Sequence, residues 1–419
     1  MKKTKFSGYK VAFGALIVLF VHNGIMGTLG LFLPEISTGL KVPISQVSLG
    51  LTISSAVAFI ISLFVGKLLI KFSPKYILLL GSITTCLQCF VYGSASSLWI
   101  LYLGSVIEGF TTGIATTTCI AALIKQWFVE KRSSMIGYVF GGAMLGSALF
   151  MTLTGILIQG IGYRHTYYVL GAIAIIIAIP ANIIFIKKGP EKLGQKPLGW
   201  EKEEEIEAAL NAETQNAKGV TLTQATKSPS FWLILLVGTI FAGLSIGFAT
   251  FVPSFWQEEG MDPVKSAYLI TIYSLVATIA TIASGKIADK FGNKVFVTYL
   301  HLAFIAAMGC AVLSRGNLSP IFVGGSILFA AIAFPIYTTI IPTITSEIFG
   351  SLDYEKITGI FMAGLYIGLC LVSPICGYIH DITGSFSSSF IFLGVAALIS
   401  LICILIALKL SPMKKVSNN

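Results

Sequence analysis

The stretch Gly285-Lys-Ile-Ala-Asp-Lys-Phe-Gly-Asn-Lys294 is a short basic segment that separates two long apolar runs. A related stretch, Gly66–Lys75, lies in the first half of the chain. The shift in numbering that carries Gly66 onto Gly285 also places Phe32-Leu-Pro34 on Phe251-Val-Pro253. Matches that recur at one offset indicate that the chain consists of two copies of one structural unit.

The composition excludes an ordinary soluble domain. Hydrophobic residues make up 55% of the chain and charged residues only 11%, whereas soluble proteins carry about 25% charged residues. The apolar residues fall into twelve runs of roughly the 20 residues that cross a bilayer. In hydrocarbon each backbone group must be bonded within its own segment, so these runs are predicted to be transmembrane helices. The predicted spans are 11–33, 46–66, 75–94, 98–124, 132–158, 165–187, 230–256, 263–284, 293–314, 318–346, 355–379 and 386–410. Pro34 and Pro253 are expected to end the first helix of each copy.

The basic residues set the orientation in the membrane. With the N-terminus placed in the cytoplasm, all but four of the 28 Lys and Arg residues fall on the cytoplasmic side. The exceptions are Lys41, Arg164, Lys265 and Arg315. This bias predicts a multi-pass protein of the cell membrane with both termini in the cytoplasm. The net charge of +10 then follows from topology and from attraction to an anionic inner leaflet, and it requires no nucleic-acid partner.

A polar stretch divides the chain into three predicted parts. Residues 188–229 include the charged run Glu201-Lys-Glu-Glu-Glu-Ile-Glu207 and are predicted to form a cytoplasmic connector with a short charged helix. Residues 1–187 and residues 230–419 each hold six of the predicted spans. They are therefore predicted to form an N-terminal and a C-terminal six-helix bundle.

The basic segment carries a family resemblance. The pattern Gly-x-hydrophobic-Ala-Asp-basic-x-Gly-x-basic at Gly285–Lys294 resembles the signature loop of the major facilitator superfamily. The copy at Gly66–Lys75 is degenerate, because Ile70 and Ser73 stand at the positions of the Asp and the second Gly. The resemblance implies an all-α integral membrane protein with twelve transmembrane helices in two pseudo-symmetric bundles, working by alternating access.

Motifs near the ends of later spans narrow the resemblance. They are Lys227-Ser-Pro before Phe231-Trp232, then Glu347-Ile-Phe-Gly350, and then Asp381-Ile-Thr-Gly-Ser-Phe386. They are similar to motifs of the branch that holds bacterial oxalate/formate exchangers and monocarboxylate carriers. That branch implies a small organic solute, with a monocarboxylate as the leading candidate.

The chain departs from this branch at its charged residues. Members that carry anions hold them with buried cations on the eighth and eleventh helices. Here the eighth predicted helix has only Lys265, at its outer mouth, and the eleventh has only Lys356, at its inner start. A tightly held dianion such as oxalate is therefore not expected.

The sequence lacks several motifs of catalysis. It contains no phosphate-binding Gly-x-x-x-x-Gly-Lys-[Ser/Thr] loop and no His-Glu-x-x-His metal motif. The seven cysteines all lie within predicted spans. Cys86 and Cys89 have the spacing of a redox or metal pair, but no second pair or His cluster accompanies them. We therefore expect a protein that is not an enzyme, that has no cofactor or metal, and that draws its energy from a gradient.

Ionisable residues deep within a span are costly to bury and are functional by default. His22 lies about halfway along the first predicted span, and Glu108 about halfway along the fourth. Both helices line the central cavity in the fold that the resemblance implies. Burial disfavours the carboxylate, so Glu108 could exchange protons near neutral pH, where His also titrates. We expect Glu108 to accept a proton, with His22 as its partner or as a substrate contact. The alternative is a structural hydrogen bond between helices.

Polar and aromatic side chains at similar depth form the candidate substrate site. Together they indicate a medium-sized, partly apolar cavity, although any one of them is more often a packing residue. The candidate substrate contacts are His22, Asn23, Thr111, Thr112, Phe241, Ser245, Tyr273, Tyr337 and Tyr366. His301 lies on the ninth helix, an outer helix of the implied fold, where a packed or lipid-boundary position is expected.

The signature loop is predicted to act as a gate. In the superfamily that it resembles, the Asp faces the positive end of a helix from the opposite half and latches the cytoplasmic side. That role falls on Asp289, together with Gly285, Lys290 and Gly292. The partner would be the start of the fifth helix, near Ser133.

These features together predict secondary transport of a small organic solute, coupled to protons. The expected partners are the solute, the proton and the lipid bilayer, and the chain is expected to act as a monomer. Efflux of amphipathic or cationic compounds is the alternative within transport. The alternative of another class is a membrane sensor that keeps the carrier fold without translocation, which the degenerate loop at Ile70 supports.

Overall fold

A computed structural model of the chain describes residues 6–114, 117–202, 219–335, 341–350 and 352–413, which are predominantly α-helical. The helices of the first half are α1 (Gly8–Met26), α2 (Leu29–Leu40), α3 (Ile44–Lys71), α4 (Pro74–Ser94), α5 (Leu98–Ile114), α6 (Thr117–Trp127), α7 (Arg132–Ile173) and α8 (Ile179–Phe185). The later helices are α9 (Leu222–Thr226), α10 (Pro229–Glu258), α11 (Pro263–Phe291), α12 (Asn293–Leu313), α13 (Pro320–Ala333), α14 (Ile341–Phe349), α15 (Tyr354–Thr383) and α16 (Phe386–Lys409).

Ten helical stretches in the described ranges are long and apolar enough to cross a membrane. The predicted runs 132–158 and 165–187 together form one of these stretches, Ser134–Phe185. Within it the backbone leaves helical geometry at Gly162, where φ is 75° and ψ is 163°. A positive φ of this kind is readily adopted only by glycine, so the chain turns here between two spans.

The tenth predicted run, 318–346, is divided in the structure. Its first part is the shorter apolar helix α13 and its second part is α14. Together with the turn in the fifth and sixth spans, this division accounts for the difference between ten long helical stretches and twelve predicted spans.

The prediction that Pro34 and Pro253 end helices is wrong. Pro34 lies inside α2 and Pro253 lies inside α10. Proline removes one backbone donor and weakens a helix locally. Membrane helices tolerate it because neighbouring helices and local backbone adjustments satisfy the freed groups.

The chain divides into two compact units whose boundary falls within the predicted connector, and Pro43–Ser48 groups with the second unit. In the first unit α1 packs closely on α7. A methyl group added at Gly146 would overlap the backbone oxygen of Phe20. In the second unit α10 packs on α15 in the same way, since a methyl group at Gly368 would overlap the backbone oxygen of Thr239.

These two contacts occupy equivalent places in the two copies. The shift that carries Gly66 onto Gly285 also carries Phe20 onto Thr239. The offset from Gly146 to Gly368 is slightly larger than the offset from Gly66 to Gly285. The second copy therefore contains a few more residues before this point than the first copy does. Each unit is therefore held by a contact between its first and fifth spans that has no room for a side chain.

The beginning of the connector is bonded to the first unit. The Leu198 carbonyl accepts hydrogen bonds from the backbone N–H groups of Val129 at 2.9 Å and Glu130 at 3.0 Å. The Leu198 N–H donates to the Trp127 carbonyl at 2.9 Å, and Leu198 forms an isolated β-bridge with Phe128. This part of the connector thus pairs with the turn between α6 and α7.

The end of the connector is bonded to the second unit. Gly219 and Gly350 form another isolated β-bridge, and the Val220 N–H donates to the Phe349 carbonyl at 2.9 Å. The shift that carries Gly146 onto Gly368 also carries Phe128 onto Gly350. The two ends of the connector therefore bind equivalent turns, one in each unit.

Substitution at the contact glycine of the second unit should lower stability. Gly368→Ala places a methyl group against the Thr239 backbone oxygen, and overpacking of this kind costs about 1–3 kcal/mol. Gly359→Ala is a matched control on the same helix, because a methyl group there meets no atom within 4 Å. Thermal unfolding of the purified variants in detergent measures the difference. Equal midpoints for the two variants would contradict the close contact.

A carboxylate fastens the end of the connector. Asp353 accepts hydrogen bonds from the Leu222 N–H at 2.7 Å and from the Lys356 ammonium at 2.8 Å. The Lys356 ammonium and the Leu222 N–H hold the pKa of Asp353 below its usual value. The contact is therefore stabilising at pH values above the ordinary pKa of a free Asp, and it weakens as the pH falls through the lower folded-state pKa.

Removal of this carboxylate should release the connector end. We expect Asp353→Ala to increase tryptic cleavage after Lys227 several-fold at pH 7, because the Leu222 N–H loses its acceptor. Lys356→Met keeps that hydrogen bond and should give a smaller increase. Cleavage time courses followed by mass spectrometry give the rates. An unchanged rate in Asp353→Ala would show that the carboxylate does not hold this segment.

Candidate functional site

His22 lies inside the first unit and is only 5% exposed. Its Nδ1 is 3.1 Å from the Thr85 hydroxyl on α4. That hydroxyl donates its single proton to the Gly81 carbonyl at 2.9 Å. Since the Thr85 oxygen then has only acceptor capacity left, His22 must be protonated at Nδ1 in this arrangement.

Glu108 is the second buried ionisable residue of this unit, and it is 1% exposed. The Tyr92 hydroxyl on α4 contacts Glu108 Oε2 and is also 3.1 Å from Ser105 Oγ. Oε1 of Glu108 is buried and has no hydrogen-bond partner among the described residues. Within the described ranges no cationic side chain forms an ion pair with this carboxyl group.

Glycines on α5 explain why the carboxyl group is enclosed. The Tyr92 ring lies where a side chain at Gly104 would stand, with its Cδ1 2.7 Å from the position of a Cβ atom. Gly109 faces the backbone oxygen of Ser54 on α3 so closely that a methyl group would overlap it. Helices α3 and α4 can therefore both approach α5 around Glu108.

Helix α4 contributes both partners. Thr85 and Tyr92 are seven residues apart, which corresponds to two helical turns and about 10 Å along the axis. His22 and Glu108 are thus bonded at different levels of α4 and are not hydrogen-bonded to each other. Of the two roles expected for His22, partner of Glu108 or substrate contact, the described structure shows no direct bond for the first, and each residue has a neutral hydroxyl partner.

Sequence analysis missed Thr85 and Tyr92. A signal for them was present, because Thr85, Gln88 and Tyr92 recur at helical spacing within an apolar span. Gln88 is buried as well, and its Oε1 has no partner in the described part of the chain. Polar residues on one face of a membrane helix mark the side that meets other helices.

The other predicted substrate contacts of the first unit have different surroundings. The Thr111 hydroxyl donates to the Ile107 carbonyl at 2.8 Å, and Thr111 is fully buried. The Thr112 hydroxyl lies 3.0 Å from the sulfur of Met26. Asn23 is half-buried, and its carbonyl accepts a hydrogen bond from Ser147 Oγ at 3.0 Å.

Aromatic packing surrounds two predicted contacts of the second unit. The Phe241 ring lies 4.5 Å from the His301 ring and 5.7 Å from the Phe304 ring, so Phe241 packs towards α12. Tyr273 is buried, and its ring lies 5.9 Å from that of Phe248.

The remaining predicted contacts of the second unit differ in exposure. Ser245 is buried, and its hydroxyl has no partner among the described residues. Tyr366 is half-buried on α15. Tyr337 lies outside the described residues.

His301 is packed inside the second unit and does not face lipid. It is fully buried, its Nδ1 lies 2.8 Å from the Val297 carbonyl, and its Nε2 lies 3.2 Å from Ser400 Oγ. The histidine therefore joins α12 to α16 beside Phe241.

The signature loop is described in part. The backbone of 285–291 continues α11, Lys290 is exposed, and Gly292 ends the helix with a φ of 78° that favours glycine. The side chains of Asp289 and Ser133 and the surroundings of Gly285 lie outside the described part of the chain. The predicted latch therefore stays a prediction.

Comparison with known proteins identifies the family. The profile of the Major Facilitator Superfamily matches residues 15–352, and the chain belongs to this superfamily. The uncharacterized MFS-type transporter YhjX of Escherichia coli strain K12 is 26% identical over 369 residues, which cover 85% of this chain and 84% of the relative. Monocarboxylate transporter 12 of Rattus norvegicus is 22% identical, over 94% of this chain and 84% of the relative.

A drug-resistance protein and a solved structure extend the comparison. The class H tetracycline resistance protein of Pasteurella multocida is 25% identical over 68% of this chain and 69% of its own length. The crystal structure of the nucleoside transporter NupG superposes with a TM-score of 0.73 at 12% identity, covering 95% of this chain and 99% of that chain. At that identity the likeness concerns the fold.

The protein is therefore a multi-pass membrane transporter of small-molecule substrates, and it is not an enzyme. The predicted fold class, with two pseudo-symmetric halves of the major facilitator type, is confirmed.

The bond between Thr85 and His22 should contribute measurably to stability. Thr85→Val leaves the buried Nδ1–H of His22 without an acceptor, which costs about 1–3 kcal/mol. Thr84→Val is the matched control, because among the described residues the Thr84 hydroxyl bonds to carbonyls of its own helix, those of Leu80 and Gly81. Thermal unfolding in detergent compares the two variants. An equal loss in both would indicate that the His22 bond adds nothing.

Proposed function

We propose that this chain is a proton-coupled secondary transporter that moves a monocarboxylate across the cell membrane by alternating access. Both termini would lie in the cytoplasm, and the chain would act as a monomer. Residues 1–187 and 230–419 would form the two moving bundles, and residues 188–229 the cytoplasmic connector. Glu108 would bind and release the proton.

The observation that carries the proposal is the environment of Glu108. An ionised carboxylate enclosed in an apolar interior requires a cation or several donors. Glu108 has only neutral hydroxyl partners, those of Tyr92 and Ser54, and no cation of the described ranges pairs with it. The neutral form is therefore favoured while the group stays enclosed. Release of the proton then requires a change in the surroundings of Glu108, which alternating access would provide.

The absence of a buried Lys or Arg from the described parts of α11 and α15 supports a monocarboxylate as substrate, because His380 on α15 is already paired with Glu258 and Asp381. A monocarboxylate that travels with one proton is neutral overall, so no fixed cation has to balance the pair. Within the described part of α11 the exposed Lys265 lies at one end, and the exposed Lys356 lies at the start of α15. Relatives named monocarboxylate transporter 12 and 13 point to the same class.

The substrate contacts and the gate keep their predicted roles within this proposal. The first unit would offer His22, Asn23, Thr111 and Thr112, and the second Phe241, Ser245, Tyr273, Tyr337 and Tyr366. His22 would contact the solute or assist Glu108. Asp289 would form the latch, with Gly285, Lys290 and Gly292 shaping its loop.

Efflux of an amphipathic or cationic compound is the second candidate. It is favoured by the similarity to the class H tetracycline resistance protein, which extends over 68% of this chain. In that reading Glu108 would face a cationic solute. Drug export from cells that carry the chain, measured beside monocarboxylate uptake, separates the two candidates.

Uptake into vesicles tests the proposed function. We expect purified protein in liposomes to accumulate radiolabelled lactate, pyruvate or formate when the outside is acidic. In Glu108→Gln, gradient-driven accumulation should fall about tenfold or more, because the proton gradient is no longer coupled to the solute. Exchange of labelled for unlabelled solute should persist, because Gln imitates the neutral carboxyl group.

The matched control is Glu191→Gln, which makes the same change at an exposed position near the start of the connector. It should retain the wild-type rate. Glu108→Gln uptake that follows the wild type across the whole pH range would overturn proton coupling at this residue. If the vesicles show no uptake and no exchange of any solute tested, the result would support a non-transporting sensor.

A further inference from the structure

The hydroxyl groups of Tyr92 and Ser105, near Glu108, make more contacts than they have protons to donate. The Ser105 hydroxyl donates to the Leu101 carbonyl at 3.1 Å and also lies 3.1 Å from the Tyr92 hydroxyl. The Tyr92 hydroxyl in turn contacts Glu108 Oε2. Each hydroxyl has one proton to donate, so the directions of the three bonds depend on each other.

Along the chain of contacts from Leu101 through Ser105 and Tyr92 to Glu108, two arrangements use every proton. In the first, Ser105 donates to Leu101 and therefore accepts from Tyr92. The Tyr92 oxygen must then accept from Glu108, which carries a proton on Oε2. In the second, Glu108 is ionised and accepts from Tyr92, while the Tyr92 oxygen accepts from Ser105.

We propose that Tyr92 and Ser105 act as a reversible hydroxyl pair that sets the proton affinity of Glu108 by turning with its protonation. This inference rests on the proposed proton coupling and names the residues that tune it. When a proton arrives at Oε2, the Tyr92 O–H turns from Glu108 to Ser105, and the Ser105 O–H turns from Tyr92 to Leu101. Neither hydroxyl loses its own proton, so the two protonation states differ by one proton and two rotations.

The polar groups of the described residues around Glu108 are all neutral hydroxyls or thiols. Besides Tyr92, the titratable groups that face Glu108 are Cys89 on α4 and Tyr167 on α7, and both are buried. Tyr167 has its ring 5.2 Å from that of Tyr92, and its hydroxyl has no partner among the described residues. Helix α3 brings Ser54, whose hydroxyl also hydrogen-bonds to the Glu108 carboxyl group and is separate from the Tyr92–Ser105 chain. No charged side chain of the described ranges pairs with Glu108.

The pair gives the buried carboxyl group a partner in both protonation states. A carboxylate enclosed without a donor would be too costly, and a carboxyl proton enclosed without an acceptor would also be unpaired. Rotation of the hydroxyls supplies a donor in one state and an acceptor in the other. Tyr92 and Ser105 are therefore positioning residues that act through Glu108.

Removing the two hydroxyls should have opposite effects. Ser105→Ala takes away the acceptor that Tyr92 needs when Glu108 is protonated, so Tyr92 keeps donating to Glu108 and the carboxylate is favoured. The pH at which half of Glu108 is protonated should fall. Tyr92→Phe takes away the donor to the carboxylate, so that pH should rise. Each shift is expected to be about one pH unit, equal to a tenfold change in proton affinity.

Infrared spectroscopy measures the effect directly on the purified protein. The C=O stretch of the protonated carboxyl group is titrated with pH, and its assignment to Glu108 comes from its loss in Glu108→Gln. The pH of half-maximal solute uptake in vesicles should shift in the same directions. A purely structural role would lower stability in both variants without moving the midpoints apart.

Control variants match each change. Ser82→Ala removes a buried hydroxyl that donates only to the Leu78 carbonyl of its own helix, at 3.0 Å, and Tyr299→Phe alters an exposed tyrosine. Both should keep the wild-type midpoint. Ser105→Thr keeps the hydroxyl and should restore the wild-type midpoint. If Ser105→Ala does not fold, Ser105→Cys, a weaker acceptor, should give a smaller shift in the same direction.

The outcomes separate this inference from the proposed function. Shifts of Ser105→Ala and Tyr92→Phe in the same direction, or no shift in either, would overturn the hydroxyl pair. Proton coupling would stand in that case if Glu108→Gln abolished the pH dependence of uptake. A pH dependence that survives Glu108→Gln would overturn the proposed function, even if the carboxyl band moved as expected.

Discussion

Inside a hydrocarbon layer a polar group can bond only to protein, and this constraint governs the structure. The constraint makes the backbone helical and makes each buried side-chain contact count. In the first unit two hydroxyl groups on α4, those of Thr85 and Tyr92, contact His22 on α1 and Glu108 on α5. The same constraint gives Glu108 its chemical character, because enclosure favours the neutral form of an acid.

Glycine determines which helices come near enough for such bonds. Gly104 and Gly109 let two helices approach α5 from different sides, and Glu108 lies between these positions. Gly146 and Gly368 do the same for the contacts between the first and fifth spans of the two units. A transporter that changes shape needs contacts that stay rigid within each unit, and backbone-to-backbone packing without side chains supplies them.

The internal repeat extends to the way the connector is held. Leu198 pairs with the turn between α6 and α7, and Gly219 pairs with the turn before α15. Since these turns occupy equivalent positions in the two copies, each unit offers the same kind of backbone edge to one end of the connector. The internal repeat therefore gives each unit its own set of helices and its own attachment point for the connector.

The sequence by itself determined the class of the protein. The class follows from properties of composition and spacing. These are the long apolar runs, the low content of charged residues, the excess of basic residues on one side and the repeat at a fixed offset. The apolar runs and the low charge follow from the free energy of transfer into hydrocarbon, and none of these properties depends on detailed packing. The same reasoning placed two ionisable residues, His22 and Glu108, deep within spans, and the structure finds both enclosed.

Only the tertiary structure decided the partners of those residues. His22 and Glu108 do not bond to each other, because α4 lies against both and meets them two turns apart. In the second unit Phe241 packs on His301, which belongs to a different helix. Which side chains meet depends on which glycines allow close approach and on how each helix is rotated, and periodicity along a uniformly apolar span carries little of that information.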